Sequence, residues 1–192
     1  MDLKLYTVKN EYVNYLRADS KLKNVFENKD EEGRFLRKYL GVVLSIENYS
    51  YYVPLSSPKD SDYLIKEGRR VIRPSVIPII RMISIDVNGK RELKGTLKFS
   101  NMIPVPNDVI TYYDISQEVN KDYKILVEKE YEFIKKNRSQ IVKNAFVLYN
   151  QKTKESLFYT DGKKKPGYLK NVVDFKYAEQ KYNQYKNENS RV

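Results

Sequence analysis

The 192-residue sequence contains no cysteine and no histidine, and these two absences remove most of the familiar routes to enzyme chemistry. There is no thiolate nucleophile, no Cys/His zinc site, no Ser-His-Asp triad and no imidazole pair for proton transfer. Any reaction must be carried by Lys, Arg, Tyr, Ser, Thr or carboxylates. Without cysteine there is no disulfide framework to require an oxidising compartment. Tryptophan is absent too. No apolar run approaches the ~20 residues a membrane helix needs. The first ten residues also lack the apolar stretch of a secretory signal. The expectation is a cytoplasmic protein with no membrane partner.

What is present is charge and tyrosine: 36 Lys+Arg against 25 Asp+Glu, a net +11, and 18 Tyr. Such a balance suits a polyanion such as nucleic acid, although a basic soluble protein needs no such partner. The excess is uneven. Residues 59–100 carry ten basic and five acidic side chains and residues 161–192 eight and four, whereas 1–58 and 101–160 each carry nine and eight. The first stretch holds Lys59, Lys66, Arg69, Arg70, Arg73 and Arg81, with Tyr63 among them. Guanidinium forks match phosphate geometry and stack on bases. The second opens with Lys163, Lys164 and Lys165 in a Gly/Pro-bounded turn, which reads equally as a solvated loop.

Patterning predicts a mixed fold. The β-branched run 40–46 followed by 51–53 reads as one hairpin. Residues 79–87 and 91–99 flank Asn88-Gly89 and read as a second, with a type I′ turn. Residues 102–105 add a short apolar segment. Helical spacing places Tyr12, Tyr15 and Leu16 on one face behind Asn10 as N-cap. It also places Tyr123, Leu126, Val127, Tyr131 and Ile134 on a stripe over 121–136, with Glu128, Lys129, Glu132 and Lys135 pointing away. Further helices are expected over 139–150 and after Asp174. About six mostly antiparallel strands and the helices occur in separate runs, which is an α+β domain spanning 1–192. The polar tail from about residue 186 is expected to fray. Residues 56–78 show little periodicity and read as a long loop, either functional or partly disordered. Tyr123, Tyr131, Tyr182 and Tyr185 sit at helical spacing, as packing residues do. Tyr51, Tyr52, Tyr63, Tyr112 and Tyr113 fall at strand ends or loops, where bases would stack.

The sharpest local feature is Pro54-Leu55-Ser56-Ser57-Pro58-Lys59, two hydroxyls and an ammonium within four residues where a strand meets the arginine-rich stretch. A phosphate in such a turn accepts from the hydroxyls and backbone N–H groups while the ammonium counters its charge. Ser and Pro are also ordinary turn formers.

With Leu40-Gly41-Val42-Val43-Leu44, Tyr52-Val53 leading into this turn, and Gly95-Thr96-Leu97-Lys98-Phe99 before Met102-Ile103-Pro104, the sequence resembles the ToxN/AbiQ family of type III toxin-antitoxin endoribonucleases. Leu5-Tyr6-Thr7-Val8 and the 123–134 helix are similar as well. The resemblance implies a compact, strongly bent antiparallel sheet flanked by helices, related to the MazF/Kid toxin fold. It implies metal-independent cleavage of single-stranded RNA to 2′,3′-cyclic phosphate and 5′-hydroxyl ends, acting on cellular or phage RNA in abortive infection. It further implies an antitoxin of RNA pseudoknot repeats, processed by the toxin and held with it in a closed toxin-RNA hetero-oligomer. The family's active-site motif falls on Ser56, Ser57 and Lys59, with Ser56 where some members have Thr. RNA contacts are expected from Tyr12, Tyr63, Lys66, Arg69, Arg70, Arg73, Arg81 and Lys98. An aromatic that some members carry before the 41–44 strand has no counterpart near Gly33, where Phe35 and Tyr39 are the nearest.

This chemistry agrees with the residue inventory. When the neighbouring 2′-hydroxyl attacks, no enzymic nucleophile is needed, only a base, an acid and stabilisation of the charged phosphorane. Lys59 can neutralise the phosphorane or protonate the leaving 5′-oxygen, and the serines can orient the phosphate or the 2′-hydroxyl.

Overall fold

Short connections between β-rich segments make three hairpins, and the other strand pairs join segments distant in the chain. A computed structural model describes residues 3–28, 36–156, 158 and 164–189. Gly33, Phe35 and Lys163 lie outside the described residues. Strand β1 (Lys4–Val8) leads into helix α1 (Asn10–Arg17), and β2 (Tyr39–Ile46) and β3 (Tyr49–Ser56) form the first hairpin. The small hairpin β4 (Tyr63–Lys66) and β5 (Arg69–Ile72) follows, then the long hairpin β6 (Ile79–Ile85) and β7 (Arg91–Lys98). Short strands β8 (Ile103–Pro104) and β9 (Ile110–Tyr112) precede three helices: α2 (Lys121–Lys136), α3 (Arg138–Thr153) and α4 (Phe175–Asn189).

The main sheet has seven strands, in the order β6-β7-β3-β2-β1-β9 with β8 also paired to β3, and every pairing is antiparallel. All the described strands lie before residue 113 and, α1 apart, the described α-helices lie after 120, which gives the expected α+β organisation. Register shifts interrupt β2 against β3 between Leu40 and Leu44 and β6 against β7 between Met82 and Ile83, which locally disrupts the ladder. Helix α2 packs on β6 and β7, α3 on β2, and α4 on β8, α1 and α3. Among the described residues no helix is long and apolar enough to cross a membrane.

Tyrosine does the work that tryptophan does elsewhere. Tyr12, Tyr39, Tyr51 and Tyr52 are fully buried with Phe99 and Phe175. The hydroxyls of Tyr51 and Tyr149 donate to Glu179 Oε1 at 2.9 and 2.7 Å, and Lys176 Nζ lies 2.9 Å from Glu179 Oε2. Such partners offset the cost of burying a carboxylate. Tyr51 and Tyr52 are therefore core residues and not stacking platforms, which corrects their assignment to strand ends; the apolar partners of β8 and α4 cover that part of β3.

Three local expectations also change. Asn10 is the first residue of α1 and accepts from Asn28 Nδ2 at 2.7 Å, with Lys9 as N-cap. At the tip of β6–β7 only Gly89 has positive φ, and Asp86 Oδ1 accepts from Asn88 N and Lys90 N, so the turn is a three-residue loop with a left-handed glycine and not type I′. The type I′ turn is instead at Glu67-Gly68, both with positive φ (52° and 72°), inside the stretch read as a loop. The alternation of Leu64, Lys66, Arg70 and Ile72 is too polar to announce strands. Helix α4 continues to Asn189, and the remaining residues lie outside the described ones.

Candidate active site

Strand β3 delivers the Ser-Ser-Pro-Lys turn to one end of the sheet. Ser56 is the last residue of β3 and pairs with Thr96 of β7, which in turn pairs with Arg81 of β6. Thr96 Oγ1 donates to the Ser56 carbonyl at 3.3 Å, and Arg37 Nη1 donates to the Leu55 carbonyl at 2.8 Å. Ser56 is thus buried on a rigid rung, while Ser57 and Lys59 are exposed beyond it. The turn is closed reciprocally: Lys59 N donates to Asp62 Oδ2 at 3.1 Å, and Asp62 N donates to the Lys59 carbonyl at 2.9 Å.

Asp62 is only 1% exposed and is satisfied by cations from other strands. Arg81 Nη2 lies 2.9 Å from Asp62 Oδ1 and Lys98 Nζ 3.9 Å. Arg81 also donates to the Pro74 carbonyl at 2.8 Å, and its backbone N donates to Ser75 Oγ at 2.8 Å. Arg81 and Lys98 are therefore buried struts beneath the turn, which corrects the expectation that they present their charge to RNA. Tyr12 is corrected likewise: it has no exposed surface, its hydroxyl donates to the Pro104 carbonyl at 2.7 Å, and its ring packs edge-on against Tyr185. Burial holds its hydroxyl pKa well above the usual value. Tyr39, near the missing family aromatic, is buried as well.

The remaining expected cations stay outside. Lys66, Arg69, Arg70 and Arg73 are exposed on or beside the β4–β5 hairpin. The Arg70 guanidinium stacks 3.9 Å above the Tyr63 ring and its Nη2 reaches Asp60 Oδ1 at 2.8 Å, and Arg73 Nε donates to the Tyr63 carbonyl at 2.9 Å. Tyr112 is 56% exposed, and Tyr113 carries the Lys38 ammonium 4.2 Å over its ring.

Two cavities flank the end of β3. The larger, about 460 Å3, is lined by Ser56, Lys59, Arg37, Arg17, Phe26 and Glu27 among others; it is large enough for a nucleotide-sized group. The smaller, about 50 Å3, is lined by Ser56, Ser57, Arg37, Lys38 and Glu130 with apolar neighbours. Ser56 and Arg37 border both. Arg37 also stacks 4.9 Å from the Phe26 ring. Burial holds the Lys38 ammonium below its usual pKa, opposed by the charge of Glu118. Burial pushes the Glu130 carboxyl up to about 8. Arg37, Lys38 and Glu130 were not singled out in the sequence. The one available signal was Glu130, an acid on the apolar stripe of α2 four residues from both Leu126 and Ile134. Among the described residues no three Asp or Glu converge to hold a metal ion.

Comparison with known proteins finds relatives along almost the whole chain. The family model for toxin ToxN of type III toxin-antitoxin systems matches residues 4–183. The chain is 32% identical over 189 residues to an endoribonuclease ToxN of Bacillus thuringiensis subsp. kurstaki, covering 95% of this chain and 84% of that one. It is 29% identical over 191 residues to the endoribonuclease AbiQ of Lactococcus lactis subsp. lactis, covering 96% and 90%. A solved structure from work on selective inhibition of a type III toxin by a non-coding RNA pseudoknot superposes with a TM-score of 0.73 at 27% identity, covering 97% of this chain and 99% of that one. The family model's match to residues 4–183, with relatives alike along almost the whole chain, places this protein in the ToxN toxin family of type III toxin-antitoxin systems.

Proposed function

We propose that this chain, an endoribonuclease toxin of the ToxN family, cuts single-stranded RNA without a metal by directing a 2′-hydroxyl onto the adjacent phosphate, leaving a 2′,3′-cyclic phosphate and a 5′-hydroxyl. The observation that carries this reading is the juxtaposition of Ser56 and Lys59 on one nucleotide-sized cavity beside an exposed basic hairpin. The fixed rung holds Ser56 where its hydroxyl orients the phosphate, and Ser57 lies beside it on the exposed side. Lys59 meets the negative charge that grows on the phosphorane and supplies a proton to the departing 5′-oxygen, the kind of preorganised stabilisation that contributes most to such steps. Lys66, Arg69, Arg70 and Arg73 hold the flanking backbone, and Tyr63 offers a ring face for stacking.

The same surface serves an inhibitor. A relative's inhibition by a non-coding RNA pseudoknot supports an antitoxin of pseudoknotted RNA repeats for this chain, cut from a precursor by the same site and retained in a closed toxin-RNA assembly. Cellular or phage RNA is then the target, and kinship with AbiQ supports a role in abortive infection within the cytoplasm. The register shifts in β2 and β6 support the strongly bent sheet of the MazF/Kid fold.

The test is RNA cleavage in EDTA with analysis of product ends. The wild-type protein is expected to yield cyclic phosphate ends, and Lys59→Ala to lose roughly 10²–10⁴-fold in rate while folding normally, since its side chain is exposed. RNA that is bound but returned intact would identify a non-catalytic RNA-binding module instead.

A further inference from the structure

We propose that Glu130 is the proton acceptor for the attacking 2′-hydroxyl, reached through the small cavity behind Ser56 and Ser57 and acting from the side of the β3 end opposite Lys59. This rests on the ribonuclease reading above and names the group that reading leaves open, in a protein with no histidine to take the role.

Glu130 is 6% exposed on the buried stripe of α2, between Val127 and Ile134. Among the described residues none donates a hydrogen bond or an ion pair to its carboxyl. A buried carboxyl is costly, and one held above its usual range beside a cavity marks a candidate functional group. The contrast with Glu179, which is equally buried but satisfied by Tyr51, Tyr149 and Lys176, shows that this protein partners a carboxylate where it is structural.

The sheet makes room for the carboxyl. Glu130 Oε1 occupies the place a Cβ would take at residue 95, so only glycine permits this approach. Gly95 immediately precedes Thr96, the residue paired with Ser56. The carboxyl therefore lies one residue along β7 from the rung that holds Ser56, and it opens into the cavity lined by Ser56 and Ser57. At about 50 Å3 that space admits water and no nucleotide, so the proton travels to Glu130 through water.

The disposition suits in-line displacement, in which the attacking and leaving oxygens stand on opposite sides of phosphorus. A base and an acid serving them must flank the phosphate. Lys59 borders the larger cavity, Glu130 the smaller, and Ser56 and Arg37 border both. As the O2′–P bond forms, the 2′-hydroxyl proton passes to the Glu130 carboxylate. As the P–O5′ bond breaks, the Lys59 ammonium gives a proton to O5′. Exchange with solvent then resets both groups.

The titratable and charged groups facing this region are Arg37 and Lys38 at the start of β2, Tyr123 on α2 itself, and Tyr113 after β9 with Glu118 hydrogen-bonded to it. Strands β6 and β7 present Met82 and Gly95. Burial pushes the Glu130 carboxyl up to about 8, close to the range in which a base both accepts and releases a proton efficiently.

Single-turnover cleavage of an RNA oligonucleotide from about pH 5 to 9, with RNA binding and thermal unfolding measured alongside, tests this. The wild-type rate is expected to rise with pH and level off near 8. Glu130→Gln is expected to lose roughly 10²–10⁴-fold in rate together with that rising limb, while RNA affinity is kept. Glu130→Asp, which keeps a carboxyl in a displaced position, is expected to retain the limb with a shifted midpoint and covers the case in which the glutamine variant does not fold. A glutamine variant that cleaves at the wild-type rate, or a limb that neither variant moves, overturns the assignment and leaves the ribonuclease reading intact. A wild-type protein that makes no cyclic phosphate ends overturns both.

Discussion

Asp62 ties three parts of the chain to the reactive turn. It accepts from the Lys59 backbone, pairs with Arg81 from β6 and lies near Lys98 from β7. Removing one partner of a buried pair leaves the other charge uncompensated, at a cost of about 3–5 kcal/mol. Asp62→Ala is therefore expected to lower unfolding stability by about that amount in denaturant titrations and to slow RNA cleavage, because the turn loses its closing hydrogen bond. Asp62→Asn, which keeps an acceptor for Lys59 N, is expected to be milder in both. The sequence displays Ser56, Ser57 and Lys59 openly, because turn residues at a strand end are legible from local pattern. It hides Asp62, Arg81 and Lys98, because a tally of charge along the chain does not reveal which charges neutralise one another across strands. Two of the ten cations in the richest basic stretch are consumed this way.

At the scale of elements, the β4–β5 hairpin gathers the exposed cations Lys66, Arg69 and Arg70. Its type I′ turn at Glu67-Gly68 keeps the strands in register and spaces Lys66, Arg69 and Arg70 along a narrow arm. Single-strand binding loses affinity with salt at a slope of about 0.7 per phosphate neutralised. Replacing Lys66, Arg69 and Arg70 together by Gln is expected to reduce the slope of log affinity against log salt by about 2. Unfolding free energy should stay within about 1 kcal/mol of wild type, since all three are exposed. The arm escapes a pattern reading because two four-residue strands with charged faces carry no period-2 apolar signal. Helix α2, by contrast, has the predicted boundaries, since sixteen residues with a continuous stripe leave little ambiguity. Glu130 shares the buried face of this helix with Val127 and Ile134, a placement that the stripe of Tyr123, Leu126, Val127, Tyr131 and Ile134 does not announce.

At the scale of the molecule, a buried carboxyl leaves a signature in global stability. The Glu130 pKa is about 8 when folded and near ~4.3 when unfolded, so the folded state binds the proton more tightly. Its contribution is unchanged below the unfolded pKa and turns increasingly destabilising as pH rises toward the folded value, with a slope of up to about 1.4 kcal/mol per pH unit. Glu130→Gln is expected to flatten that decline, so its melting temperature should exceed that of wild type increasingly between about pH 5 and 8. A variant more stable yet less active would separate the cost of this carboxyl from its use. The α+β class was legible because antiparallel hairpins and long amphipathic helices each leave strong local periodicity. The order of strands in the sheet was not, because nothing local specifies that β3 sits between β2 and β7.

Helix α4, the last described element, closes over β3: Phe175 and Glu179 contact Tyr51, and Tyr185 wedges against Tyr12 and Tyr15. The strand that carries the serine-lysine turn is thus secured by contacts 124 and 128 residues apart in the chain, and contacts of such long range cost the most loop-closure entropy to form.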